Sequence, residues 1–231
     1  MLSYHNDPAV KEKLLLHYAS CRAARRVTHS SIYLKWNREV HVEPQKGFTG
    51  TIVGSYAPEQ FPIQLGWPEW LGRLANFIFE KLTIDKARQF GTDLLEAVPV
   101  GVDLDKLRYH LAIARIKRQL VLLRLNPEPY ALECVVLLES NIVYMKQVID
   151  GVLKEVDLNY TKLALHEAYT LTLCKIYKIS LVTFSVSAAL RALYSSEEAN
   201  ENSPYSVVYS AGWLMEIPDE CDTLLKVLRA M

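Results

Sequence analysis

Residues 105–125 read DKLRYHLAIARIKRQLVLLRL, a run with neither glycine nor proline. An α-helix turns about 100° per residue. On that wheel Lys106, His110, Lys117 and Arg124 fall on one narrow stripe, and Arg108, Arg115 and Gln119 fall on the opposite one. Between them lie two separate apolar faces. Leu107, Leu111, Ala114, Val121 and Leu125 form one, and Tyr109, Ile113, Ile116, Leu120 and Leu123 form the other. A surface helix needs a single apolar face. Two faces predict a helix packed between neighbours, or one covered by a second subunit, and so a helical bundle.

The chain on either side reads the same way. Downstream, NPEP (126–129) breaks the pattern and a helix from Tyr130 to Val156 follows. Its polar stripe is Glu139, Lys146, Asp150 and Lys154; Leu138, Ile142, Met145, Val148, Ile149 and Val152 face the core. After the DLN turn (157–159), Tyr160 to Tyr194 is helical with thinly scattered charge, as expected of a central element. SSEEANENSP (195–204) is a polar connection, and a last helix from Asp219 buries Leu224, Leu225 and Leu228. Upstream, VPVGVDLD (98–105) is the best internal boundary. Before it stand a helix from Pro68 carrying Trp70, Leu71, Leu74, Phe77, Ile78 and Leu82, and a Thr83-capped helix carrying Ala87, Phe90, Leu94 and Leu95. Trp67 and Trp70 flank Pro68 and staple that helix start to the core.

At the N-terminus Asp7 caps a helix that has Pro8 at its first position and runs without a breaker to about Trp36. From Glu39 to Pro68 the texture changes: Gly47, Gly50, Gly54 and Gly66 alternate with Pro44, Pro58, Pro62 and Pro68, which marks a long structured loop. Val40–Val42 and Thr51–Val53 are the pieces that could pair as a hairpin within it. The expectation is an all-α multi-helix bundle of about seven helices with a small irregular or two-stranded insertion near 40–56. It forms one domain over 1–231, with division into 1–103 and 104–231 as the alternative.

Composition narrows the function classes. Half the 231 residues are apolar and 23% are charged, which suits a globular protein and not a disordered one. Lys+Arg and Asp+Glu both number 26, so any anionic partner must be met by a local patch. Cys21, Cys134, Cys174 and Cys221 stand far apart, excluding a sequence-local zinc ribbon or disulfide framework and predicting thiols in a reduced compartment, the cytosol. The start MLSYHNDPAVKEK has no apolar signal region, and the longest uncharged apolar run, Ile179 to Leu190, is too short to cross a bilayer. No membrane partner is expected.

YHNDPAVKEK (4–13), RAA (22–24), LGWPEWLGRL (65–74), IFEKL (78–82) and LLEAVPVGVDL (94–104) occur in that order. Together they resemble a family of uncharacterised bacterial and phage-associated proteins that opens on the same Tyr-His-Asn-Asp-Pro and carries a Pro-Val-Gly-Ala-Asp-Leu junction. The resemblance covers about the first 105 residues and implies a shared fold there and no activity. Cys21 and Arg25 stand where relatives have His and Asp, and Thr51 and Ser55 stand where relatives have cysteines. Thiol or metal chemistry at those positions is therefore not available to this chain.

Candidate chemistry begins on the first helix. Tyr18, Arg22, Arg25, Arg26, His29 and Tyr33 share one arc of its wheel, with Lys11 extending the stripe. Arginine interleaved with tyrosine is the composition that holds phosphates and stacks bases, so this is the candidate anion- or nucleic-acid-binding site; a solvated face is the plainer reading. His5 and Asp7 could serve a metal or an acid–base pair, although Asp7 is explained as a cap. No His-x-x-x-His or His-Glu-x-x-His spacing occurs, GFTGTIVG (47–54) lacks the Lys-Ser/Thr of a phosphate loop, and Ser185 and Ser187 have no flanking glycines. No catalytic residue, metal or cofactor is expected. The function expected is a non-enzymatic helical binding or scaffolding protein that self-associates as a homodimer. The alternatives are an enzyme with its site between the 39–68 loop and the first helix, using His5, Asp7, His29 or His41, and a nucleic-acid accessory protein using the arginine stripe.

Overall fold

The computed structural model describes residues 1–30, 32–34, 40–42, 46–55, 57–125, 129–153 and 217–231. The helix expected over 160–194, the DLN turn and the 195–204 connection lie outside these residues. The architecture is all-α. Among the described residues there are eight α-helices: α1 (Pro8–Ala23), α2 (Gly47–Val53), α3 (Gln60–Leu65), α4 (Glu69–Lys81), α5 (Ile84–Ala97), α6 (Leu107–Arg124), α7 (Pro129–Ile149) and α8 (Ile217–Ala230). No helix among the described residues is long and apolar enough to cross a membrane.

The two-stranded insertion is present but differs from expectation. Strand β1 (Ile32–Leu34) pairs antiparallel with β2 (Val40–Val42), with Tyr33 opposite His41. Thr51–Val53, the expected partner of Val40–Val42, belongs to helix α2, where the Thr51 hydroxyl donates back to the Gly47 carbonyl at 2.7 Å. A β-branched triplet reads as strand by propensity, and burial of Thr51 and Ile52 in the tertiary core overrides it.

The chain divides into two compact units, residues 1–105 with 214–231, and residues 106–213. Helix α8 joins the first unit and packs on α4 and α5. Its buried Leu224, Leu225 and Leu228 are the three residues the sequence assigns to the core. In the first unit an aromatic centre holds the helices together. The Phe48 ring lies 6.2–6.5 Å from those of Tyr18, Phe61, Phe79 and Phe90, and Trp67 stacks on Phe61 at 6.0 Å. Helices α1 and α5 run antiparallel at close range: a Cβ on Gly91 would fall on the Tyr18 hydroxyl, so only glycine admits that ring.

In the second unit α6 packs on α7, and Lys106 Nζ donates to the Ile149 carbonyl at 2.7 Å. Tyr109, Ile113, Ile116 and Leu120 are buried, as are Leu107 and Leu111. The second expected apolar face is thus covered over these residues. The first is covered only in its N-terminal half, because Val121 and Leu125 are exposed. Helix α7 ends at Ile149, short of the expected Val156. Gly151, at φ +73°, takes the left-handed position that terminates helices, and the Val152 N–H closes on the Gln147 carbonyl at 2.8 Å. Val152, expected in the core, is exposed as a result.

Candidate functional site

The most tightly constructed local feature is the chain start. Tyr4, His5 and Asn6 have φ values of 53°, 53° and 60°, a left-handed turn made without glycine. Each such residue costs about 1–2 kcal/mol, so the surroundings must hold the turn in place. Tyr4 is fully buried, edge-on to Trp67 at 5.7 Å, and its hydroxyl donates to the Leu95 carbonyl at 2.9 Å. Burial pushes that phenol well above its ordinary pKa. Ser3 exchanges backbone bonds with Val102 and Gly101 at 2.9 and 3.0 Å, and Asp7 caps α1 through the Ala9 N–H at 2.8 Å. Gly66 and Gly101, both at positive φ, let the turn approach. A Cβ on the first would fall on the Leu2 carbonyl, and one on the second on the Asn6 amide oxygen. YHNDP (4–8), LGW (65–67) and PVGVD (99–103) therefore meet in space at one knot.

What the knot can do chemically is limited. His5 is exposed, and its Nε2 lies 3.0 Å from the Ile63 carbonyl. A carbonyl only accepts, so Nε2 carries the hydrogen in this contact. Asp7 is committed to its cap, His29 stands half-buried and edge-on to Phe79 at 5.7 Å, and His41 is placed on β2 opposite Tyr33. The four residues considered for an acid–base site fall at separate places in the fold: His5 in the opening turn, Asp7 at the start of α1, His29 between α1 and β1, and His41 on β2. Among the described residues no three His, Cys, Asp or Glu side chains are grouped to hold a metal ion.

The six residues of the expected arginine stripe do not form one helical face, because α1 ends at Ala23. Arg25 turns left-handed at φ 57°, and the Arg26 N–H bonds back to the Cys21 carbonyl at 2.9 Å. Tyr18 is buried against α5, and burial raises its pKa against the opposing pull of Arg22 and Arg88. Arg22 donates to Thr92 Oγ1 at 3.0 Å and to Gln89 Oε1 at 3.1 Å. Lys11 donates to the Glu96 and Val98 carbonyls at 2.8 and 2.7 Å, completing the C-terminal end of α5. Arg25 and Arg26 lie beyond the helix and are exposed, and Tyr33 is on β1.

Two further clusters were not anticipated from the sequence. His17 Nε2 lies 3.0 Å from the Thr51 carbonyl and 3.6 Å from Cys21 Sγ. Because the carbonyl requires Nε2 to carry its hydrogen, that nitrogen has no lone pair with which to deprotonate the thiol, and the arrangement ties α1 to α2. Beneath α2, both Glu80 carboxylate oxygens accept from the Ser30 N–H at 2.9 and 3.1 Å, and Asn76 Oδ1 accepts from the Thr49 N–H at 3.1 Å. A Cβ on Gly47 would meet Glu80 Oε1 at 2.8 Å and Asn76 Oδ1 at 2.9 Å, so the cluster is closely packed around the glycine. It fastens the base of the β1–β2 ribbon, where the Gly47 N–H also donates to the Thr28 carbonyl at 2.9 Å.

Helix α7 carries a strip of exposed apolar side chains. Its inward side buries Val135, Leu138, Ile142 and Met145. At helical spacing the opposite side carries Val136, Ser140, Val143 and Tyr144, all exposed, with Val136 at 62% and Val143 at 54%. Glu139 and Lys146 border this strip on one edge, and Glu139 forms an ion pair with Arg124 of α6. The inward residues were legible as a core face. The outward valines were not, because one polar edge with good i,i+4 charges satisfies the pattern of an ordinary amphipathic helix. Comparison of the chain with known protein families, curated proteins and solved structures finds no match in any of the three.

Proposed function

We propose that the protein is a non-catalytic helical assembly module that pairs with a second copy of itself through the outward side of α7. The observation that carries this reading is the exposed strip of Val136, Val143 and Tyr144, lying opposite the buried Leu138, Ile142 and Met145. Exposed apolar surface is unfavourable in water, and this strip is the interaction site. A two-fold dimer is the commonest way to cover it, since one patch then closes on its own copy. Cys21 and Cys221 are unpaired thiols, which suits the reducing cytosol as the place of work. Light scattering at low micromolar concentration tests the assembly. The expected mass is twice the 26.4 kDa of one chain, falling to one chain when Val143→Glu places a carboxylate in the strip. A mass near 26.4 kDa for the unaltered protein, unchanged on concentrating, would overturn the proposal.

A further inference from the structure

Resting on that reading, we infer that the two copies pair with their α7 helices antiparallel, in a register set by Glu139 and Lys146. These residues are seven apart, about two helical turns, so they lie along the same edge of the apolar strip. A two-fold axis passing beside Val143 brings Glu139 of one copy opposite Lys146 of the second copy, and the symmetry makes the contact twice. Parallel pairing about a two-fold axis along the helices carries the two Glu139–Lys146 edges to opposite sides of the pair, so neither complementary contact forms. The charge order along the edge therefore selects one orientation, as edge charges do in paired helices. Arg124, paired with Glu139 within the chain, holds the carboxylate at the border of the strip before the second copy arrives. Val143 then sits at the axis, where each copy meets its own counterpart, and Val136 packs toward the far end of the second copy's helix.

Sedimentation equilibrium on two charge reversals tests the register. Lys146→Glu leaves the Arg124 pair intact and sets glutamate against glutamate, and Glu139→Lys sets lysine against lysine. Each alone is expected to weaken pairing about tenfold, with the difference shrinking at high salt. Mixed in equal amounts, the two variants are expected to pair with each other more tightly than either pairs with itself, because both contacts are then complementary. Unchanged circular dichroism of each variant shows that the fold is retained. If Val143→Glu dissociates the dimer while both reversals pair normally, the register is wrong and the assembly reading stands. If the unaltered chain is a monomer throughout, both are overturned.

Discussion

Gly66 and Gly54 have the same backbone handedness and different surroundings, which separates two costs that usually occur together. Both have φ near +70°, at 64° and 78°. A Cβ at Gly54 meets nothing within 4 Å, whereas one at Gly66 falls on the Leu2 carbonyl, a backbone atom that cannot swing aside. Gly54→Ala is expected to lose only the left-handed penalty, about 1 kcal/mol. Gly66→Ala adds overpacking of about 1–3 kcal/mol and forces the 4–6 turn to move. Thermal unfolding of the two variants checks this, and equal losses would mean that the chain start does not sit against Gly66. LGW and PVGVD supply the two glycines that YHNDP needs in order to approach.

The end of α1 is where sequence pattern and backbone part most widely. A left-handed residue closes the helix after Ala23, a position where glycine or asparagine is the usual signal. Here it is Arg25, so the sequence offers no stop sign and the wheel continues into an arginine stripe that the backbone never builds. Arg25→Gly is expected to raise stability by up to about 1 kcal/mol, read as a higher midpoint in denaturant; a lower midpoint would contradict the left-handed assignment. Elsewhere the signals were sound where a single local rule governs. Asp7 with Pro8 starts α1, Pro68 precedes α4, and α5 stops before Pro99. They failed where tertiary packing governs. Thr51–Val53 became helix inside the aromatic core, and Lys11 and Arg22, expected on an anion-binding stripe, bond to groups on and just beyond α5. Gly151 was a visible stop signal for α7 that the continuing apolar pattern concealed.

At the scale of the whole molecule, the first unit is discontinuous in sequence: its final helix comes after more than a hundred residues that belong to the second. Leu228 is fully buried and α8 packs on α4 and α5, so Leu228→Ala is expected to cost about 2–5 kcal/mol. Hydrogen exchange should show the loss of protection in α4 and α5, far from the substitution along the chain, and protection unchanged there would mean α8 is dispensable to that unit. The arrangement also sets a timetable for the cell. At roughly 5–20 residues per second, the helices of the first unit leave the ribosome on the order of ten seconds before the strand of chain that covers them. During that interval the apolar sides of α4 and α5 are open to whatever is nearby, and a nascent chain of this design is a natural client for the chaperones that guard emerging polypeptides.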